Sequence, residues 1–328
     1  MLGRRVAQAI EERPPEHVWG SVLPLLLAAD LRIINLECVI ARGEVHRPWM
    51  PPKVFYFIAG PTAVNALRAA SIEVVTLANN HTLDYREPAL LEMLELLEDG
   101  GIKFVGAGRN AAEAQLPVLI KTSELTLAVI NFTDNEPAWE ATESTAGLSY
   151  VPIMLEDRRF ARLAHLTRET KQVADVVLVT AHWGPNMVDR PRTHHPPFAR
   201  ALIEAGADCF AGHSAHVFQG IEIYRSKPIL YDMGDFVNDY VVDPTLRNDR
   251  SFLWVLDVDK AGIKQIELIP VLTDGWECQV NLASGSEAQA MIEKMMRLCA
   301  EMGTPVEPEH DRLSVPVRTK DENDVEGF

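Results

Sequence analysis

Several side chains able to bind a cation or move a proton stand directly after short apolar runs. Glu37 follows residues 31–36, Asn79, Asn80 and His81 follow 74–77, His182 follows 176–180, and His213 and His216 follow 209–211. A carboxylate, an amide oxygen and several imidazoles together match the ligand set of a first-row divalent metal of the Mn, Fe or Zn type. Each alone has a plainer explanation. Glu37 fits a solvated loop, the Asn-rich stretch fits a turn with a helix N-cap, and His182 beside Trp183 fits a packed histidine. Gly212-His213-Ser214-Ala215-His216 is sharper, because two imidazoles three apart in a Gly-initiated turn are costly to bury unused. Convergence raises them all: independent turns have no reason to place ligand types at successive strand ends.

Ligands in open α/β sheets collect at the carboxyl ends of strands, so the elements must bring these ends to one edge. The apolar patterning predicts strands at 31–36, 74–77, 103–105, 125–132, 175–180 and 209–211. Helices at 61–70, 88–98, 156–174 and 197–205 alternate with them, and Gly100-Gly101 stops the second. From Gln219 the strands at 221–224, 228–231, 252–258 and 263–270 follow one another without helices, which predicts antiparallel pairing before a last helix at 286–302. The expected fold is α/β: two mixed sheets packed face to face and covered by helices, a four-layer α-β-β-α sandwich. It forms one domain over 1–303, and the Pro- and acid-rich stretch 304–328 reads as a flexible tail.

With 47 Asp and Glu against 31 Lys and Arg among 328 residues, the net charge is −16, which removes the basic footprint of a nucleic-acid or anionic-membrane binder. No Lys/Arg cluster stands out along the sequence. At 47% hydrophobic the chain can bury a real core. Cys38, Cys209, Cys278 and Cys299 are scattered without a Cys-x-x-Cys pair and imply no disulfide framework. The longest apolar stretch, 22–29, contains Pro24 and is too short to span a bilayer, and residues 1–7 lack the apolar region of a signal peptide, so a cytoplasmic location is expected. An acidic chain needs a local cation to hold an anionic substrate, and a bound metal would supply one.

Asn35-Leu36-Glu37, Asn79-Asn80-His81 with Asp84, His182-Trp183-Gly184, Gly212-His213-x-x-His216-Val217-x-Gln219-Gly220, Lys227-Pro228-Ile229-x-Tyr231 and Gly234-x-Phe236 together resemble the CapA capsule-synthesis family. These are poly-γ-glutamate biosynthesis proteins related to the calcineurin-like metallophosphatases. The resemblance runs from Met1 to about Val271 and rests on the order of the set, since any one motif is weak. It implies one or two divalent metal ions: Glu37 as a bridging carboxylate, Asn80 on the second metal, His182 and His213 on one ion and His216 on the other. It makes His81 the proton donor to substrate, with Asp84 fixing its ring. The implied activity is metal-dependent hydrolysis of a phosphoester or γ-glutamyl amide, and the implied partner is an anionic small molecule or polymer. A non-catalytic accessory or polyanion-binding component of capsule synthesis or export is the alternative.

Three departures stand out. Family members usually begin with a strand ending Gly-Asp-x-Met-Leu-Gly-Arg, whose Asp is the first ligand, while Met1-Leu2-Gly3-Arg4 begins just beyond it, so a strand and an Asp are expected upstream of Met1. Ser214-Ala215 stands where the family commonly has His-Pro, and Asp235 where Asn is usual. Gly106-Ala107-Gly108-Arg109-Asn110-Ala111 fits a dinucleotide fingerprint, but Pro117 comes too soon for a crossover helix. His194-His195 reads as a helix start near the cleft. No Gly-x-Ser-x-Gly supports a serine hydrolase.

Overall fold

The structure, a computed structural model, describes residues 1–42, 48 and 52–317. In chain order its elements begin with α1 (Arg4–Glu12), α2 (Leu23–Ala28), β1 (Ile33–Asn35), β2 (Val39–Ile40), β3 (Ile58–Ala59), α3 (Ala63–Ala69), β4 (Val74–Thr76), α4 (Arg86–Asp99) and β5 (Lys103–Val105). There follow β6 (Ala107–Gly108), α5 (Ala111–Ala114), β7 (Val118–Lys121), β8 (Thr126–Thr133), β9 (Gly147–Leu148), α6 (Arg158–Lys171), β10 (Val176–His182), α7 (His195–Glu204) and β11 (Cys209–His213). The last are β12 (Ile221–Tyr224), β13 (Lys227–Leu230), β14 (Arg250–Asp259), β15 (Gly262–Asp274), β16 (Gln279–Leu282), α8 (Gly285–Glu301), β17 (Glu307–Glu309) and β18 (Arg312–Pro316).

The α/β reading holds. A six-stranded mixed sheet runs β12-β13-β11-β10-β8-β7, in which β8, β10, β11 and β13 are parallel while β7 and β12 pair antiparallel at the edges. The central strands are near-continuous β-branched and apolar runs, as expected of parallel strands covered on both faces. On one face Phe198 and Leu202 of α7 and Leu163 of α6 pack against Val177, Val179 and Phe210. On the other, Val129, Val176 and Ala211 share a core with Phe252, Ile266, Leu268, Leu313 and the apolar side of α8. That second layer is the antiparallel sheet β14-β15-β18-β17, with β16 also on β15.

The amino-terminal β-α-β unit forms its own three-stranded parallel sheet, β1-β4-β5. Its core gathers Val6 and Ile10 of α1, Ala66 and Leu67 of α3, and Leu90, Met93, Leu94 and Leu97 of α4. The α4 spacing puts those four on one stripe, and each buried side chain contributes about 1.5–3 kcal/mol of transfer free energy. Asn131 in β8 ties the three-stranded sheet to the six-stranded one, donating to Thr180 Oγ1 (3.0 Å) and accepting from Ala78 N (2.7 Å). Gly106 stands against it: a Cβ there would lie 2.0 Å from Asn131 Oδ1 at φ +94°. Its glycine therefore serves close packing, and the four-residue α5 that follows offers no dinucleotide-binding helix.

The flexible tail expected at 304–328 is corrected over its described part. β17 and β18 form a hairpin that extends the antiparallel sheet, with Leu313 and Val315 paired opposite Leu268 and Ile266. Leu313, Val315 and Val317 are the buried apolar side chains of this stretch, so their period-2 alternation, rather than overall apolar content, is the strand signal. Residues 318–328 lie outside the described residues. Among the described residues, no helix is long and apolar enough to cross a membrane.

Candidate metal centre

Two of the strand ends meet. β10 and β11 are paired in register through His182↔His213, which places both imidazoles at the same carboxyl edge of the six-stranded sheet. Their Nδ1 atoms lie 2.9 Å apart, a hydrogen bond that needs one ring as donor and the other as acceptor. Gly212 is obligatory in this register, because a Cβ would fall 2.1 Å from the Tyr231 carbonyl oxygen and 2.4 Å from Trp183 Nε1. Trp183 Nε1 donates to that same carbonyl (2.9 Å), and its ring stacks on Tyr231.

After β11 the chain turns sharply. Ser214 and His216 adopt φ 131° and 61°, a region that non-glycine residues enter at a cost on the order of 1–3 kcal/mol. The buried Asp232 carboxylate holds the turn by accepting from Ala215 N (2.8 Å) and Gly234 N (2.9 Å). Burial pushes the Asp232 pKa up to about 7 despite those two donors. Asp235 then pairs with His216 Nδ1 at 2.9 Å. Burial disfavours the charged His216, but the Asp235 and Glu37 carboxylates outweigh it and raise its pKa to about 10.

From the three-stranded sheet come Glu37, just past β1, and the 79–84 turn, just past β4. Asn79 organises both, donating to Leu36 O (2.9 Å) and Asn35 Oδ1 (3.1 Å) and accepting from His81 N (3.0 Å). His81 Nε2 lies 3.9 Å from Glu37 Oε1, and its Nδ1 lies 2.6 Å from Asp84 Oδ2. Asp84 also accepts from Phe57 N (2.7 Å) and Lys53 Nζ (2.8 Å), while Lys53 donates to the Asn80 carbonyl. Phe57 packs on the His81 ring at 4.0 Å between centroids, and Tyr240 lies beside both Phe57 and His216.

The two groups form one electrostatic site. Burial lowers the His182 pKa well below 6.5, and the neighbouring His213, His216, His81 and Lys53 charges add to the shift. Burial, then His216, lowers His213 to about 3. Both rings are therefore neutral near pH 7, the form that offers a lone pair to a metal. Four of the five expected ligands carry a buried polar atom with no hydrogen-bond partner: Glu37 Oε1, Asn80 Oδ1, His182 Nε2 and His213 Nε2. Such atoms cost about 1–3 kcal/mol each when nothing satisfies them, and a cation is one partner that could satisfy them. Among the described residues, no three His, Cys, Asp or Glu side chains converge closely enough to hold a metal ion by themselves. The donor chemistry fits a metal, and Asn80, whose ligand atom is an amide oxygen, stands outside that count.

Two members of the site were not singled out from sequence. Lys53 follows Pro51-Pro52 without any motif, and Asp235 drew notice only as a departure from the resemblance. The strand-end rule applied to β13 could have found Asp235. His195 lies stacked on Trp183 at 4.1 Å between ring centroids, within the packing that supports the site.

With this geometry in view, the comparisons with known proteins are decisive on one point. Residues 1–240 match the family described as Bacterial capsule synthesis protein PGA_cap. The chain belongs to that family. It is 29% identical over 327 residues to a Mycobacterium tuberculosis protein described as "Probable polyglutamine synthesis accessory protein", covering 94% of this chain and 84% of that one. It is 27% identical to the PGA biosynthesis protein CapA of Bacillus subtilis, over 83% of this chain and 69% of the relative. The Bacillus anthracis capsule biosynthesis protein CapA is 28% identical, over 73% of this chain and 58% of the relative. Among solved structures, a novel phosphatase from Mycoplasma pneumoniae aligns with a TM-score of 0.43 at 12% identity, covering 80% of this chain and 88% of that one. A hypothetical protein from Thermus thermophilus aligns with a TM-score of 0.43 at 13% identity, over 84% and 91%. Likeness at these scores supports no assignment of activity. The PGA_cap match covers every expected ligand of the site.

Proposed function

We propose that this PGA_cap protein acts in the synthesis of a poly-γ-glutamate-type capsule polymer as a metal-dependent hydrolase of a phosphoester or γ-glutamyl amide. One observation carries the reading: buried atoms of Glu37, Asn80, His182 and His213, residues that follow or end strands of two sheets, have no hydrogen-bond partner. Those residues would hold one or two divalent ions of the Mn, Fe or Zn type, joined by His216 once a cation displaces the proton that Asp235 and Glu37 favour on its ring. A bound cation of that kind lowers the pKa of water toward neutrality and offsets negative charge on the attacked group. Asp84 keeps the His81 ring in one orientation, so Nε2 faces Glu37 and the space beyond it. His81 gives its proton to the leaving oxygen or nitrogen. Lys53 and Arg4 are each paired with a buried carboxylate, Asp84 at 2.8 Å and Asp239 at 3.3 Å. Arg4 lies over Phe55 and Phe57, at 5.3 and 5.9 Å from the ring centroids.

The test is turnover of an aryl phosphate and of poly-γ-glutamate by the full chain, with and without added Mn²⁺ or Zn²⁺. Metal-dependent hydrolysis of either, lost in His81→Ala, supports the hydrolase. Metal binding with no turnover of either, and no effect of His81→Ala on polymer binding, leaves the accessory reading in its place.

A further inference from the structure

The sequence shows no run of basic residues, yet folding assembles one in space. A cavity of about 250 Å³ lies between the segment after β10, the connection from β13 to β14, and α8. Five of its ten lining residues are cationic, Arg190, Arg247, Arg250, Lys294 and Arg297, against the single carboxylate of Asp189. Three separate segments contribute these charges, which is why no window of the sequence reveals them.

Part of this charge is already answered. Arg190 reaches Asp189 (2.9 Å) and Glu301 (2.7 Å), Arg247 reaches Asp249 (2.7 Å), and Arg250 reaches Glu287 (2.6 Å). Lys294 and Arg297, one turn apart on α8, have no carboxylate partner among the described residues. The Lys294 ammonium lies 4.7 Å from the Phe218 ring centroid and 3.3 Å from the Leu246 carbonyl. Burial lowers the Lys294 pKa below 10.5; Asp189 opposes this, while Arg250, Arg190 and Arg297 add to it. Such crowding of like charge is unfavourable without an anion to share. In a chain of net charge −16, Lys294 and Arg297 are left as cations in a concave surface that a negatively charged ligand could share.

The cavity is also joined to the histidine edge. Met187 N donates to Ala215 O (2.8 Å), directly beside His216, and Gln219 Nε2 donates to Val188 O (2.9 Å). Arg190 follows Met187 by three residues, a reach of at most about 11 Å between Cα atoms. Arg190, in the cavity wall, is thus within that reach of Met187, the residue bonded to the turn that carries His216.

We propose that this cavity is a second binding site, which takes carboxylate groups of an anionic polymer whose chain passes the histidine edge. Lys294 and Arg297 are the anchoring charges, and Arg190 and Arg250 shape the wall. The proposal rests on the capsule-polymer reading above for the identity of the ligand, and on the cavity alone for its charge.

Calorimetric titration of the full chain with a γ-linked glutamate hexamer, and separately with inorganic phosphate, tests it in low and moderate salt. The Lys294→Gln/Arg297→Gln double variant is expected to bind the hexamer at least about ten-fold more weakly, since charge-assisted contacts of this kind are each worth about a decade. Lys294→Arg/Arg297→Lys, which keeps both charges, is expected to retain most of the affinity, and neither variant should change metal content. Hexamer affinity within two-fold of wild type in the Gln variant, with an unchanged melting temperature, overturns the site. Phosphate binding that depends on these two residues, without hexamer binding, overturns the polymer ligand. Hexamer binding that depends on them in a protein without any hydrolysis keeps the site and removes only the hydrolase.

Discussion

Asp84 Oδ2 lies 2.6 Å from His81 Nδ1, and its other oxygen lies 2.8 Å from Lys53 Nζ, with the carboxylate buried between them. Asp84 is thus a positioning residue that acts through two others. Asp84→Asn keeps the shape and removes the charge. It should lower kcat by about 10–100-fold with KM little changed, the range found for partners that orient a working histidine. Asp84→Ala also leaves Lys53 and Phe57 N without their acceptor and should cost about 3 kcal/mol in denaturant unfolding. A purely structural Asp84 would show the stability loss without the kcat effect.

The turn that carries His213 and His216 depends on Asp232. With Asp232→Ala, Ala215 N and Gly234 N lose their acceptor, and the positive-φ backbone at Ser214 and His216 loses its tie. The expected result is a loss of about 2 kcal/mol in stability together with weaker divalent-metal binding. Asp232→Asn retains an acceptor oxygen and should recover part of both. Denaturant melts and metal titration of the two variants check this.

His195 sets a pH dependence. Burial, with smaller contributions from His194 and Arg192, lowers its pKa from 6.5 to about 3, and its Nε2 has no partner. Above pH 6.5 the ring is neutral in both folded and unfolded chains. Below that, the unfolded chain takes up a proton that the folded chain refuses until about pH 3. Stability from this group is therefore fully present above pH 6.5 and falls by about 1.4 kcal/mol per pH unit on acidification below it. His195→Gln should flatten the decline of melting temperature between pH 6.5 and 4 by roughly one proton's worth. An unchanged slope would show that other groups govern the acid limb.

Much of the site was legible in sequence because strand ends are legible. Short apolar runs such as Val74–Thr76 and 209–211 are followed by polar residues, and the parallel pairing of β10 with β11 sets His182 beside His213. Lys53 was hidden because its role depends on reaching Asp84 across 31 positions of sequence, with no local pattern to mark it. Asp235 was visible only as a mismatch, though its carboxylate is what charges His216. The β17–β18 hairpin was missed because three alternating apolar residues in an acidic, Pro-containing stretch are outweighed by composition. The basic cavity at α8 was invisible for the same kind of reason as Lys53, since its five cations come from three segments.

The account stands or falls on whether the strand-end residues bind a metal. Elemental analysis and calorimetric titration of Mn²⁺ or Zn²⁺ into the full chain, compared with His182→Ala and His213→Ala, measure this directly. The account predicts at least one tightly bound divalent ion in the wild type and a loss of about ten-fold or more in affinity in each variant. Bound metal that is absent from the wild type, or unchanged in stoichiometry and affinity in both variants, would contradict it.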